Sequence, residues 1–282
     1  MKVVQTKEEV RTWRRASDQP LGLVPTMGFL HEGHLSLVRR ARDDCARTAA
    51  SIFVNPAQFG PEEDLETYPR DLPRDLGLLE AEGVDLVWTP TQKEMYGDEF
   101  QTWVTVESVA QPLEGAERPG HFRGVATVVS KLFHVFEPQR AYFGQKDAQQ
   151  AIVLSRMTRD LDFPVEIVVC PTAREADGLA MSSRNTYLGA DERRAAPVLY
   201  RALQGASKAY EGGMREADGL RLLMYETLLA EPLVKTQYVS VANPETLEEQ
   251  FGVVERALVS LAVFLGKTRL IDNVVLGGGL LA

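Results

Sequence analysis

The chain has 282 residues, 44% hydrophobic and 25% charged, which is enough to bury one large core or two smaller ones and excludes overall disorder. Its 22 glycines and 15 prolines are ordinary and no internal repeat stands out, which excludes collagen-like and solenoid readings. A formal net charge of −9 argues against a sequence-independent hold on nucleic acid, although a small anion remains a candidate ligand wherever basic residues gather.

The longest apolar run, residues 258–265, is interrupted by Ser260 and is too short to cross a bilayer. Residues 1–15 are rich in charge and lack the apolar core of a secretory signal, so a cytoplasmic location is expected. Cys45 and Cys170 are expected as two buried thiols, since two cysteines in a chain this long do not make a disulfide framework.

In chain order, Thr6 and Glu9 have capping-box spacing ahead of Val10 and Trp13, which predicts a helix after Thr6. A short strand over 21–24 is followed by a turn-rich stretch, 25–33, and a helix over 34–45. Strands over 51–54 and 84–88 flank a helix over 72–81. A helix over 124–136, a strand over 141–143, a helix over 148–161 and a strand over 165–169 continue the alternation that a parallel α/β sheet requires. After Cys170 the pattern changes to an irregular polar stretch, helices over 191–210 and 216–229, and strands over 237–241, 258–264 and 269–275. The expected fold is a Rossmann-like, doubly wound parallel sheet in residues 1–171, followed by a smaller α+β domain in residues 172–282.

Five stretches carry candidate chemistry. Pro25-Thr26-Met27-Gly28-Phe29-Leu30-His31-Glu32-Gly33-His34 joins the first sheet strand to the next helix, where unpaired N–H groups and partial positive charge suit a phosphate. His31 and His34 stand three apart and share a face if the first helical turn includes both. One histidine alone reads as a cap or a core residue; two of the four in the chain, flanked by glycines at this junction, read as anion donors. Phe53-Val54-Asn55-Pro56-Ala57-Gln58-Phe59 ends the next strand and offers two amides, or an ordinary proline turn with an Asn cap. Arg118-Pro119-Gly120-His121-Phe122-Arg123 precedes an apolar helix and is either a phosphate-facing or a solvated arginine loop. In Phe143-Gly144-Gln145-Lys146-Asp147-Ala148-Gln149-Gln150, Lys146 is a point charge for a phosphate and Asp147 a water-mediated Mg²⁺ candidate, against an ordinary helix start. Met181-Ser182-Ser183-Arg184-Asn185 is a mobile phosphate-binding loop or a plain polar linker.

Together and in order, these stretches resemble the pantothenate synthetases, from Pro25 to Leu188 at the level of motifs and more loosely through Ile271-Asp272-Asn273. The His31-x-Gly33-His34 and Met181-Ser182-Ser183-Arg184 elements are also similar to signatures of the wider nucleotidylyltransferase superfamily and class I aminoacyl-tRNA synthetases. The combination with Asn55-Pro56-x-Gln58-Phe59 and Gly144-x-Lys146-Asp147 is the specific part. Gln145 stands where many relatives carry Glu. The resemblance implies an AMP-forming ligase that activates pantoate with ATP and passes it to β-alanine. It implies His34, His31 and Lys146 as catalytic residues. It implies ATP contacts from Met27, Gly28, Phe29, Leu30, His31, Glu32, Gly33, His34, Gly144, Gln145, Lys146, Asp147, Ala173, Met181, Ser182, Ser183 and Arg184. Gln58 and Gln150 would bind pantoate, Gln58 also β-alanine, Asp75 a magnesium ion, and the second domain would cover the ATP site. It further implies a cytoplasmic homodimer that binds these small molecules and neither nucleic acid nor membrane. A nucleotidylyltransferase that leaves its nucleotide on the product, a nucleotide-binding regulator and a tRNA-charging enzyme are the competing readings.

Overall fold

In the computed structural model, residues 1–61, 63–279 and 281 are described, and the chain divides into two units, residues 1–144 with 150–170 and residues 145–149 with 171–281. The first unit runs β1 (Lys2–Val4), α1 (Lys7–Arg15), β2 (Leu21–Thr26), α2 (Glu32–Asp44), β3 (Arg47–Ile52), α3 (Leu72–Ala81), β4 (Leu86–Trp88), α4 (Gln92–Tyr96), α5 (Glu114–Glu117), α6 (His121–Phe136), β5 (Arg140–Gly144), α7 (Ala148–Asp160) and β6 (Glu166–Cys170). Its strands form a parallel six-stranded sheet in the order β1-β4-β3-β2-β5-β6.

Two-residue periodicity explains how one sheet feeds two cores. Leu21, Leu23, Ala49, Leu86, Trp88, Ala141 and Phe143 pack with Val10 of α1, the apolar side of α6, and Leu154 and Met157 of α7. Their alternates Val24, Ala50, Val87, Tyr142 and Cys170 pack with Leu37, Val38 and Ala41 of α2 and Leu79 of α3. Helices therefore cover both faces, and the sheet is doubly wound as the alternation predicts. The Thr6 capping box forms: Glu9 N–H donates to Thr6 Oγ1 at 3.3 Å and Thr6 N–H to Glu9 Oε2 at 3.0 Å. Cys45 and Cys170 are buried free thiols.

The elements depart from expectation in several places. Strand β3 begins at Arg47 and ends at Ile52, earlier than 51–54, because all six of its residues pair with β2 although Arg-Thr-Ala-Ala carries little strand propensity of its own. Strand β2 keeps Pro25 and Thr26, expected in the turn; β5 pairs only with Gly22 and Leu23, so that flank of β2 is open where the proline lacks an N–H. Strand β1 and the short α4 and α5 are too brief to leave a period. The single helix expected over 191–210 is two, because Pro197 cannot donate the hydrogen bond that would continue the first turn set.

The second unit holds α8 (Ala190–Ala195), α9 (Val198–Glu211), α10 (Ala217–Leu229) and an antiparallel sheet β7 (Val234–Ala242), β8 (Ala257–Leu265), β9 (Thr268–Leu276), in that order. Leu199 and Leu203 of α9 and Leu220, Met224 and Leu228 of α10 bury against Val259, Leu261, Val263 and Leu270. Every residue of β8 except Phe264 is buried, which explains its apolar run, broken only by the buried Ser260.

Candidate active site

In the sheet order, β2 is followed on one side by β3 and β4 and on the other by β5 and β6. The reversal falls between β2 and β5, and ligands of open α/β sheets bind outside the carboxyl ends of strands at such a point. The loop after Thr26 and the chain leaving Gly144 start from these two strand ends.

The loop from β2 to α2 is held by a buried carboxylate. Gly28 (φ 87°) and Phe29 (φ 49°) are left-handed, and this curl turns successive N–H groups inward. Phe29 N–H donates to Asp75 Oδ2 at 2.7 Å and Leu30 N–H to Asp75 Oδ1 at 2.8 Å. A Cβ on Gly28 would lie 3.1 Å from Asp75 Oδ2 and from Ile52 Cγ2, so the position has little room for another residue. Asp75 is 1% exposed, and burial pushes its carboxyl above the ordinary value against the pull of the Leu30 and Phe29 N–H groups and Arg74. Arg74 adds a bond to the Leu30 carbonyl at 2.9 Å.

Helix α2 then starts at Glu32, with His31 as its N-cap, rather than at His34. Gly33 N–H donates to His31 Nδ1 at 3.2 Å and His31 N–H to His34 Nδ1 at 3.3 Å, a reciprocal capping box built from two imidazoles. The rings lie 4.1 Å apart between centroids. Because each Nδ1 is an acceptor, each neutral ring carries its proton on Nε2 and donates from there. The spacing gives a shared helical face only if the first turn includes both histidines; His31 lies at the N-cap, just outside that turn, and the two rings pair there.

The amide pair sits at the end of β3. Asn55 caps the 3-10 turn Pro56–Gln58, and its Nδ2 donates to Gln58 Oε1 at 2.9 Å and to the Gly124 carbonyl at 3.2 Å. Helix α6 approaches so closely that a Cβ on Gly124 would stand 2.2 Å from the Ala57 carbonyl oxygen. Gln58 Nε2 donates to Met27 Sδ at 3.2 Å, which ties the amide to the first loop. Gln150 lies half-buried in the first turns of α7.

Arg118 and His121 do not form a loose basic loop. Arg118 pairs with Glu63 at 2.6 Å, and His121 Nδ1 donates to the Gln58 carbonyl at 2.8 Å while its Nε2 accepts from Arg118 Nη1 at 3.2 Å. Both ring nitrogens are thus used in the neutral form, and burial, aided by the Arg118 charge, holds His121 down to about 4. A histidine lowered in the folded state stabilises fully above its ordinary 6.5, and that stability is lost as pH falls from there towards 4, about 3 kcal/mol in all. Urea unfolding of the parent protein is expected to show this loss below pH 6.5, and the His121→Gln variant to lack that component. Equal pH slopes for the two would refute it.

The second unit carries the remaining predicted residues. Gln145 is a buried clamp: its Nε2 donates to Asn273 Oδ1 at 2.9 Å, while Asn273 Nδ2 donates to the carbonyls of Gln145 at 3.0 Å and Lys146 at 2.8 Å. Lys146 Nζ lies 3.2 Å from Asp147 Oδ1. Asp272, adjacent to Asn273, makes a bidentate pair with Arg174 at 2.6 and 2.9 Å, and Arg174 stacks on Tyr200. Ala173 is placed by a narrow hairpin in which Met181 N–H donates to the Ala173 carbonyl at 2.9 Å. Ser182 caps the 3-10 turn Ser183–Tyr187 through Arg184 N–H. Asn185 Nδ2 bonds Glu175 Oε1 and the Ala180 carbonyl, and Arg193 pairs with Glu175 and Asp177. The Met181 to Arg184 segment is therefore a hydrogen-bonded turn.

As a metal ligand Asp75 fits poorly: both its oxygens already accept backbone N–H groups, and among the described residues no three His, Cys, Asp or Glu side chains gather to hold an ion. Among those residues no helix is long and apolar enough to cross a membrane.

A parallel sheet with a glycine-bearing loop tied to a buried carboxylate and a histidine-capped helix at its switch point defines an α/β nucleotide-binding enzyme. The family model described as Pantoate-beta-alanine ligase matches residues 2–275, and the chain belongs to that family. It is accordingly an enzyme of the ligase class. Its relatives include pantothenate synthetases of Herpetosiphon aurantiacus, 60% identical over 98% of this chain and 100% of that one, and of a Roseiflexus species, 61% identical over 98% and 99%. Among solved structures it is similar to pantothenate synthetase from Thermus thermophilus, with a TM-score of 0.92 at 49% identity, covering 97% of this chain and 99% of that one. It is also similar to the Francisella tularensis pantoate-beta-alanine ligase complexed with beta-gamma ATP and beta-alanine, with a TM-score of 0.82 at 33% identity and 99% of each chain covered.

Proposed function

We propose that the chain makes pantothenate in two half-reactions. In the first, a pantoate carboxylate oxygen attacks the α-phosphorus of ATP, the bond from that phosphorus to the bridging oxygen breaks, and pyrophosphate leaves. In the second, the β-alanine amine attacks the acyl carbon, the bond to AMP breaks, and the nitrogen loses a proton. A carboxylate does not react with an amine unaided, so the protein's task is to position anions and stabilise developing charge.

The observation that carries this reading is the His31/His34 cap on the curled loop at the switch point, which places two imidazoles together at the N-terminus of a helix. On the first unit, residues 27–34 and Gly144 are assigned to ATP, with His34 and His31 as phosphate donors. Gln58 and Gln150 are assigned to pantoate, and Gln58 to β-alanine as well. On the second unit, Gln145, Lys146, Asp147, Ala173, Met181, Ser182, Ser183 and Arg184 are assigned to ATP, Lys146 as the point charge. Magnesium is assigned to the phosphates of ATP as part of the substrate, not to a protein-made cage. A cytoplasmic homodimer completes the proposal.

The test is ATP–pyrophosphate exchange with pantoate and Mg²⁺ but no β-alanine, followed by β-alanine addition. Exchange, then pantothenate with equimolar AMP, is expected. Absence of exchange in folded protein that binds ATP would overturn the reading.

A further inference from the structure

Gln58 meets its surroundings through a short chain of side chains. Its Oε1 accepts from Asn55 Nδ2 at 2.9 Å, which leaves its Nε2 edge on Met27 Sδ at 3.2 Å. A thioether sulfur is a weak acceptor, so a carboxylate or hydroxyl oxygen arriving beside Met27 gains that donor readily. Whether the edge presented is NH₂ or C=O depends on Asn55. Asn55 is 1% exposed, so water does not substitute for a lost partner there. Its backbone contacts are long, 3.2 Å to the Gly124 carbonyl and 3.3 Å from Ala57 N–H. Its shortest bond comes from Tyr96, whose hydroxyl donates to Asn55 Oδ1 at 2.6 Å. Tyr96 ends α4, and its ring is held by Phe53, Phe100 and Trp103 at centroid distances of 6.2, 4.9 and 6.3 Å. Burial raises its phenol, so it remains a donor throughout the neutral range.

We propose that Tyr96 is a positioning residue for acid binding, acting through Asn55 to keep the Gln58 amide in the orientation that presents its NH₂ edge to the substrate. The order of donors makes this directional: a hydroxyl fixes a carbonyl, the amide nitrogen behind it fixes the next carbonyl, and the final nitrogen is left to donate. The proposal rests on the assignment of Gln58 to pantoate.

Steady-state kinetics of Tyr96→Phe, Gln58→Ala and the double variant test it, because phenylalanine keeps the ring packing and removes only the hydroxyl. Tyr96→Phe is expected to raise KM for pantoate about three- to tenfold, as for one neutral hydrogen bond, with kcat changed less and KM for ATP unmoved. Added to Gln58→Ala, the same change is expected to have no further effect on pantoate KM. A flat pantoate KM in Tyr96→Phe, equal effects on ATP and pantoate, or an undiminished cost in the double variant would overturn the proposal alone. A Gln58→Ala protein with parental pantoate KM would overturn the assignment of Gln58 and the proposal together. Thermal midpoints of parent and Tyr96→Phe, expected to lie within a few degrees of one another, separate this from a general loss of packing.

Discussion

In ATP–pyrophosphate exchange, the His34→Ala variant is expected to run about 100- to 1,000-fold slower than the parent protein, the usual cost of removing one well-placed donor to a developing anion. Two effects must be kept apart, because His34 is also the third residue of α2 and its Nδ1 accepts the His31 N–H. Loss of that cap is worth about 1 kcal/mol and lowers stability without disabling a folded site. His34→Gln separates them: glutamine at this position can still accept the cap N–H, as in an ordinary capping box, but does not reproduce the imidazole Nε2 donor. The alanine variant is expected to lose both stability and rate, and the glutamine variant chiefly rate. Near-parental exchange in both would remove His34 from the phosphate contacts.

Asp75→Asn is expected to lower exchange about 10- to 100-fold through KM for ATP, without moving the Mg²⁺ concentration that gives half-maximal rate. The carboxylate offers one oxygen to each of two buried N–H groups, Phe29 and Leu30. An amide offers one oxygen and one NH₂, so one backbone donor would face another donor, at a cost of about 1–3 kcal/mol. The left-handed Gly28-Phe29 curl depends on those bonds, and with it the placement of the loop residues 27–34 assigned to ATP. Titration of exchange rate against ATP and against Mg²⁺ in parent and variant is the measurement. A shift in Mg²⁺ dependence at unchanged KM for ATP would restore Asp75 as a metal ligand.

Long, strongly patterned segments were legible in the sequence. Helix α3 lies at 72–81 as its pattern predicts, and the Thr6 box forms with both its bonds. Strand β3 was displaced by several residues because its pairing with β2 and β4, and not its own composition, decides where it starts. Of the candidate residues, those clustered at strand ends were visible as motifs. What was hidden is what holds them: Asp75 was expected only as a magnesium ligand, and His121 and Arg118 as part of a phosphate-facing or solvated arginine loop. Asp75 and Phe29 are far apart in the chain, as are His121 and Gln58, and no local pattern signals such bonds.

The sequence by itself determined the alternation of strands and helices, the change of pattern after Cys170 and the five polar motifs at element junctions. These depend on periodicity, capping and turn chemistry acting over a few residues. Only the tertiary structure decided that Gly28 and Phe29 curl onto a buried carboxylate, that His31 and His34 cap one helix reciprocally, and that residues 145–149 are clamped by Asn273. Each of these requires a buried polar group to find its partner, and for two of the three that partner is supplied by a distant strand or helix, where only packing can bring it within hydrogen-bond distance.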